Sequence, residues 1–124
     1  MNLEDLFIKL GYTKEEVIKI TKTFPQIYSL SIETIKQKIE FYDSINMHEL
    51  ANLDARQLMQ STALSYARYM FYKEEHGIIV DISNYSKLFI CQKKFEQQYG
   101  ITKETILEKY NYEEYKMKIK VISI

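Results

Sequence analysis

The chain has 124 residues, 46% of them apolar and 27% charged, which is typical of a water-soluble globular protein with a modest core. Three glycines and one proline are too few for the many tight turns of a β-sandwich or barrel. Seventeen basic and seventeen acidic residues cancel, so the molecule as a whole has no field that would steer it onto nucleic acid.

The cysteine content and the N-terminal segment indicate a cellular location. Cys91 is the only cysteine, so nothing indicates the internal disulfides of a secreted protein. The N-terminal segment MNLEDLFIKLGY lacks the features of signal and transit peptides, and no apolar run approaches the ~20 residues of a membrane span. We therefore expect a cytoplasmic protein. Its 11 tyrosines, many isoleucines and absence of tryptophan suggest the A/T-rich genome of a bacterium or phage.

The first two predicted helices flank the only proline. Thr13 and Glu16 form a capping box, and the apolar stripe that follows runs to Phe24. Pro25 removes a backbone donor and disfavours helical geometry at Phe24, so the helix should end there. Ser31 should cap a second helix that extends to about Asn46.

A looser version of this arrangement follows. Residues 47–53 predict a short helix, and residues 54–57 resemble a second capping box. Either Ser61 or Thr62 should cap the next helix, which Gly77 should end.

The last third of the chain gives mixed signals. Residues 78–82 fit either a strand or a linker, whereas residues 84–99 have the apolar spacing of one helix. Residues 102–110 predict a further helix, and residues 116–124 alternate charged and apolar side chains in a strand-like pattern. This tail would be either disordered or an edge strand that pairs with a partner.

Two similar segments indicate an internal repeat. GYTKEEVI begins at Gly11 and GITKETIL begins at Gly100, 89 residues later. We therefore predict an all-α fold, a small array of stacked helix pairs forming one domain over residues 1–115, followed by a tail over residues 116–124. The predicted core consists of Leu6, Val17, Ile20, Phe24, Ile27, Ile35, Ile39, Leu58, Leu64, Met70, Phe71, Leu88, Cys91, Phe95, Ile106 and Leu107.

Residues 10–46 resemble a repeat of the mitochondrial transcription termination factor (mTERF) family. The likeness lies in Leu10-Gly11, the segment 13–16, Phe24-Pro25-Gln26-Ile27, Ser31 and the segment 38–42. The resemblance implies an α-helical superhelix in which the proline fixes the turn between the two helices of a repeat. It also implies binding of double-stranded nucleic acid along a basic groove.

One candidate site is a tyrosine-rich helix. Tyr66, Tyr69 and Lys73 share one helical face, and Arg68 and Tyr72 lie on another. If these side chains are exposed, they are able to stack on nucleic-acid bases or to anchor a protein partner, which the near-neutral local charge slightly favours. Alternatively, the tyrosines fill the seams between helices.

A second candidate site consists of lysines near the C-terminus. Two segments carry them: Lys87, Lys93 and Lys94, and then Lys116, Lys118 and Lys120. They are able to neutralise several phosphates, although surface lysines opposite an apolar stripe are also what any solvated helix shows.

No arrangement of residues predicts catalysis. His48 and His76 lack nearby ligands at metal-binding spacing, adjacent glutamates point apart, Cys91 fits a core position, and no glycine-rich phosphate loop occurs. We therefore expect no enzyme, no cofactor, no metal, no membrane contact and no small-molecule substrate. Two functions remain: a small interaction protein that regulates or inhibits a protein partner, or a nucleic-acid-binding mTERF-like protein that uses the C-terminal lysines.

Overall fold

Eight α-helices and three 3₁₀ helices lie within residues 1–122, the part of the chain that this computed structural model describes, with side chains described to residue 119. The α-helices are α1 (Leu3–Lys9), α2 (Lys14–Thr23), α3 (Ile32–Ser44), α4 (Leu50–Leu53), α5 (Thr62–His76), α6 (Gln92–Tyr99), α7 (Lys103–Lys109) and α8 (Tyr112–Ile122). The 3₁₀ helices span Pro25–Ser29, Ala55–Met59 and Tyr85–Leu88. No strand occurs in residues 1–122, so the predicted all-α class is confirmed.

The predicted capping box at the start of α2 is confirmed. Thr13 Oγ1 accepts a 3.1 Å hydrogen bond from the backbone N–H of Glu16, and Glu16 Oε1 accepts one of 2.9 Å from the N–H of Thr13. These two bonds satisfy donors that have no partner within the helix. The local sequence therefore determines where α2 begins.

Pro25 occupies the first position of a 3₁₀ helix between α2 and α3. Phe24 ends α2, and Leu30 is extended just before Ser31. Ser31 caps α3 as predicted, because its Oγ accepts a 3.1 Å hydrogen bond from the N–H of Thr34. A proline is tolerated at the first helical position, where its missing N–H costs no internal bond, and it separates α2 from α3.

The 3₁₀ helix and the cap that follows it recur every 30 residues. The residues at the N-cap positions of α3, α5 and α6 are Ser31, Ser61 and Cys91. Seven residues after the first two caps lie the buried cations Lys38 and Arg68. A buried Phe-Tyr pair follows in each case, at residues 41–42 and 71–72. The predicted helical-repeat architecture is therefore confirmed.

The structure corrects two predicted elements, at residues 84–99 and 116–122. The capping-box signal at residues 54–57 precedes a 3₁₀ helix that begins at Ala55, and Asp54 ends α4. Residues 84–99 are not one helix: a 3₁₀ helix ends at Leu88, and α6 starts only after Cys91. Residues 116–122 are not a strand, because they continue α8; residues 123 and 124 lie outside the described part of the chain.

The chain divides into two units, Met1–Met59 and Gln60–Ile124. In the first, α1 packs against α2 and α3, and α2 packs against α4. In the second, α5 packs against α7, α8 and the 3₁₀ helix Tyr85–Leu88. A single domain over residues 1–115 stays a prediction. Within residues 1–122, no helix has both the length and the apolar character needed to cross a membrane.

The predicted core is buried with three exceptions. Met70 and Leu107 are half-buried, and Cys91 is exposed. The prediction for Cys91 was wrong because it assumed one continuous helix through residue 91, whereas the break turns that side chain outward at a helix start. Sequence reasoning also missed several fully buried residues, including Phe7, Met47 and Leu50.

Candidate functional site

The tyrosine-rich helix predicted as a docking surface is α5, and most of that surface is internal. Ser61 caps the helix, and Gly77 ends it in the left-handed conformation at φ +64°. Tyr66, Arg68 and Tyr72 are buried, Tyr69 is half-buried and Lys73 is exposed. The docking interpretation required exposed side chains, and three of the five, Tyr66, Arg68 and Tyr72, do not meet that condition.

Arg68 is buried because it binds backbone carbonyls of the next repeat. Its Nη1 donates hydrogen bonds to the carbonyl oxygens of Leu88 at 3.0 Å and Ile90 at 2.6 Å. Its Nη2 donates to Gln92 Oε1 at 3.0 Å, and the guanidinium lies 4.5 Å from the ring centroid of Phe95. The planar fork of arginine suits this geometry, and the contacts hold the segment that leads into α6.

No ion pair compensates the charge of Arg68 among the side chains described here. Burial lowers the pKa of the guanidinium, and the Nε atom has no hydrogen-bond partner within the same residues. Arginine keeps its charge even so, because its ordinary pKa is very high. Arg68 therefore acts as a charged clamp in the interior of the second unit.

The buried tyrosines of α5 have structural partners. Tyr72 donates a 3.1 Å hydrogen bond to the carbonyl of Lys87, and burial raises the pKa of its hydroxyl. The ring of Tyr66 stacks on that of Tyr115, with centroids 4.6 Å apart. Both side chains thus fill seams between α5 and neighbouring segments, which was the alternative interpretation of this helix.

The predicted lysines differ in their exposure and in their intramolecular contacts. Lys87 is half-buried over the ring of Tyr72, 5.8 Å from its centroid. Lys116 forms a 3.2 Å ion pair with Glu113. Lys118 is exposed, and the side chain of Lys120 lies outside the described part of the chain.

Lys93 and Lys94 form the most accessible basic pair of this group. Both are exposed on α6, and neither belongs to an ion pair in the part of the chain with described side chains. Gln97 and Gln98 are exposed one turn further along. At 100° per residue, the four side chains occupy an arc of about 140° on one side of the helix.

The opposite side of α6 holds the helix in place. Phe95 is fully buried, while Gln92, Glu96 and Tyr99 are half-buried. The ring of Phe95 lies 5.5 Å from that of Phe71 of α5. One side of α6 is therefore anchored, and the exposed arc contains only lysine and glutamine. We call Lys93, Lys94, Gln97 and Gln98 the α6 face.

His48, one of the two histidines of the sequence, contacts side chains of the first unit. Within residues 1–119, no cluster of three or more His, Cys, Asp or Glu residues is able to hold a metal ion. His48 stacks on Tyr12 with ring centroids 4.1 Å apart, and its Nδ1 lies 2.6 Å from Asp43 Oδ1. The Tyr12 hydroxyl donates to the carbonyl of His48, so these residues join two corners of the first unit.

Comparison with known proteins supports the resemblance seen in the sequence. The family model mTERF matches residues 1–52, from the N-terminus into α4. The mTERF-like character predicted from residues 10–46 is therefore confirmed for this N-terminal segment. No curated protein and no solved structure gives a significant match to the chain. Fold and sequence together define an all-α protein of helical repeats whose N-terminal segment is mTERF-like.

Proposed function

We propose that this protein is a non-enzymatic helical-repeat protein that binds nucleic acid through the α6 face. The observation that carries the proposal is the exposure of Lys93 and Lys94 on an arc without a carboxylate. Lysines that are free of ion pairs are available to neutralise phosphates and release their counterions. The mTERF match over residues 1–52 supports a macromolecular, and specifically a nucleic-acid, partner.

The neutral net charge fits a local contact rather than a large groove. Of the six predicted lysines, Lys87 and Lys116 already have intramolecular partners. A contact that neutralises two phosphates should be weak and strongly dependent on salt. For two phosphates on B-DNA, the affinity should fall about twelvefold between about 50 and 200 mM salt.

The proposal is tested by fluorescence anisotropy with short labelled DNA and RNA over this range of salt. The Lys93→Gln/Lys94→Gln variant should lose most binding and most of the salt dependence. A Lys14→Gln/Lys19→Gln variant removes the same charge from exposed positions of α2 and should bind like the wild type. If no nucleic acid binds at the lowest salt, the proposal is rejected.

Protein binding through α5 is a second proposal with a smaller site. Tyr69 and Lys73 are the members of the predicted surface that are not buried. Capture of a stable protein partner by the wild type, and its loss on Tyr69→Ala, would support this function. Capture that Tyr69→Ala leaves unchanged would count against the site.

A further inference from the structure

Two members of the α6 face are amides rather than cations. Gln97 and Gln98 are exposed, each four residues after a lysine, so the face contains two parallel Lys-Gln rows. A neutral amide contributes little to the attraction of phosphates. Glutamine is, however, the side chain that binds the N6 and N7 atoms of adenine in a bidentate manner. Phosphate binding alone therefore leaves half of the face without a role.

Resting on the proposed function, we infer that α6 enters the major groove of double-stranded DNA and that Gln97 and Gln98 select adenine there. The lysines then serve as phosphate contacts beside the adenines. This assigns the class of ligand as B-form DNA, because the deep, narrow major groove of A-form RNA does not admit side chains.

The dimensions of α6 fit this assignment. The diameter of an α-helix with its side chains, about 10–12 Å, fits the major groove, which is about 12 Å wide. The half-buried Glu96 lies on the anchored side, outside the exposed arc. Negative charge is therefore absent from the arc that would face the bases.

The anchoring of α6 also suits a helix that reads bases. Arg68 donates to the carbonyl of Ile90 and to the side chain of Gln92, on either side of the helix start. Phe95 is buried beneath the guanidinium. Readout of a base edge needs side chains on a rigid element. The contacts of Arg68 and Phe95 hold α6 on the side opposite the α6 face.

The arginines do not compete for this role. Of the two in the chain, Arg68 is only 1% exposed and its fork is occupied by protein atoms. Arg56 belongs to the 3₁₀ helix Ala55–Met59 in the other unit. Any discrimination of bases by the second unit should therefore come from the amides.

Selection from a pool of randomised duplex DNA, followed by sequencing, tests the inference. The wild type should enrich adenine at two or more neighbouring positions of one strand. Gln97→Ala/Gln98→Ala should abolish that enrichment, lower the affinity for the preferred sequence about tenfold, and leave the salt dependence unchanged. Lys93→Ala/Lys94→Ala, which removes both charges and adds no amide, should instead weaken binding to all sequences. Gln26→Ala, at an exposed position of the first unit, is the matched control and should change nothing.

The outcomes separate this inference from the proposed function. Salt-dependent binding without enrichment of adenine, enrichment that survives the double glutamine variant, or tighter binding to duplex RNA would each overturn the inference and leave nucleic-acid binding intact. Absence of binding to every sequence would reject the proposed function, and the inference with it.

Discussion

The Nη1 atom of Arg68 lies 2.6 Å from the carbonyl oxygen of Ile90, which stands one residue before the N-cap position of α6. A residue in the middle of α5 thus holds the start of the helix that carries the candidate site. The contact links the packing of the second unit to the position of the α6 face, since a displaced helix start would move all four of its side chains.

Replacement of Arg68 by methionine should destabilise the second unit by about 2–4 kcal/mol. The variant keeps an apolar stem but leaves the buried carbonyl of Leu88 and the part-buried carbonyl of Ile90 without this donor. Arg68→Lys should recover only part of the loss, because an ammonium group lacks the planar fork. Urea denaturation measures the difference, and Arg56→Met, at an exposed position, is the control. Equal stability of Arg68→Met and the wild type would refute the clamp.

Tyr110→Phe should lower stability more at pH 7 than at pH 3. The Tyr110 hydroxyl donates a 2.6 Å hydrogen bond to Glu75 Oε2, and this bond, with Lys109 nearby, lowers the pKa of Glu75. A lowered pKa in the folded state stabilises the protein above the ordinary carboxyl pKa, and the stabilisation disappears as the pH falls through the folded value. Thermal unfolding of the wild type and variant at both pH values measures the difference.

Two results would contradict this pairing. The first is an equal cost of Tyr110→Phe at pH 7 and pH 3. The second is an undiminished cost in a Glu75→Gln background, because the phenol would then no longer face a charge. Tyr85→Phe controls for the removal of a half-buried tyrosine hydroxyl elsewhere in the same unit.

Thr13→Ala should destabilise the first unit by about 1 kcal/mol through loss of the capping box. Hydrogen exchange of the α2 amides localises the effect, which should be largest at the N–H of Glu16. Thr23→Ala removes a threonine from the other end of α2. Its hydroxyl donates to the carbonyl of Lys19 and satisfies no free amide, so its exchange pattern should stay close to that of the wild type.

Gly11→Ala should cost about 1–2 kcal/mol because the backbone there has φ +103°, which strains a residue with a Cβ atom. An added Cβ would lie 3.5 Å from His48 Cε1, an ordinary contact, so the cost should come from the backbone. The same substitution in a His48→Ala background should therefore cost the same. A markedly smaller cost in that background would attribute the effect to the imidazole instead.

Local signals in the sequence were sufficient for much of the fold. The capping box at Thr13, the end of a helix before Pro25 and the glycine end of α5 were predicted because each depends on residues within a few positions. The break at residues 89–91 was missed because its cap position holds Cys91 instead of serine. Cys91 fits the apolar spacing of a continuous helix, so the start of α6 was not recognised. Its position 30 residues after Ser61, and 60 after Ser31, indicates that start.

The candidate site was predicted less completely than the fold. Lys93 and Lys94 were expected and are exposed, whereas Arg68 was expected on the surface and is buried. Its partners are carbonyl groups 20 and 22 residues away, and a backbone carbonyl has no sequence signature. A charged side chain whose acceptors belong to the main chain cannot be recognised as internal until the fold brings them together.

Residues 77–84 connect α5 to the 3₁₀ helix Tyr85–Leu88. An α-helix, α2 or α4, precedes each of the two earlier 3₁₀ helices, whereas this connection contains none. It has a single fully buried side chain, Val80, and an exposed neighbour, Ile79. Asp81 and Asn84 organise its far end through side-chain bonds to backbone amides. A segment inserted just before Val80 would interrupt no helix. This loop is therefore a suitable place to insert a reporter or an affinity tag.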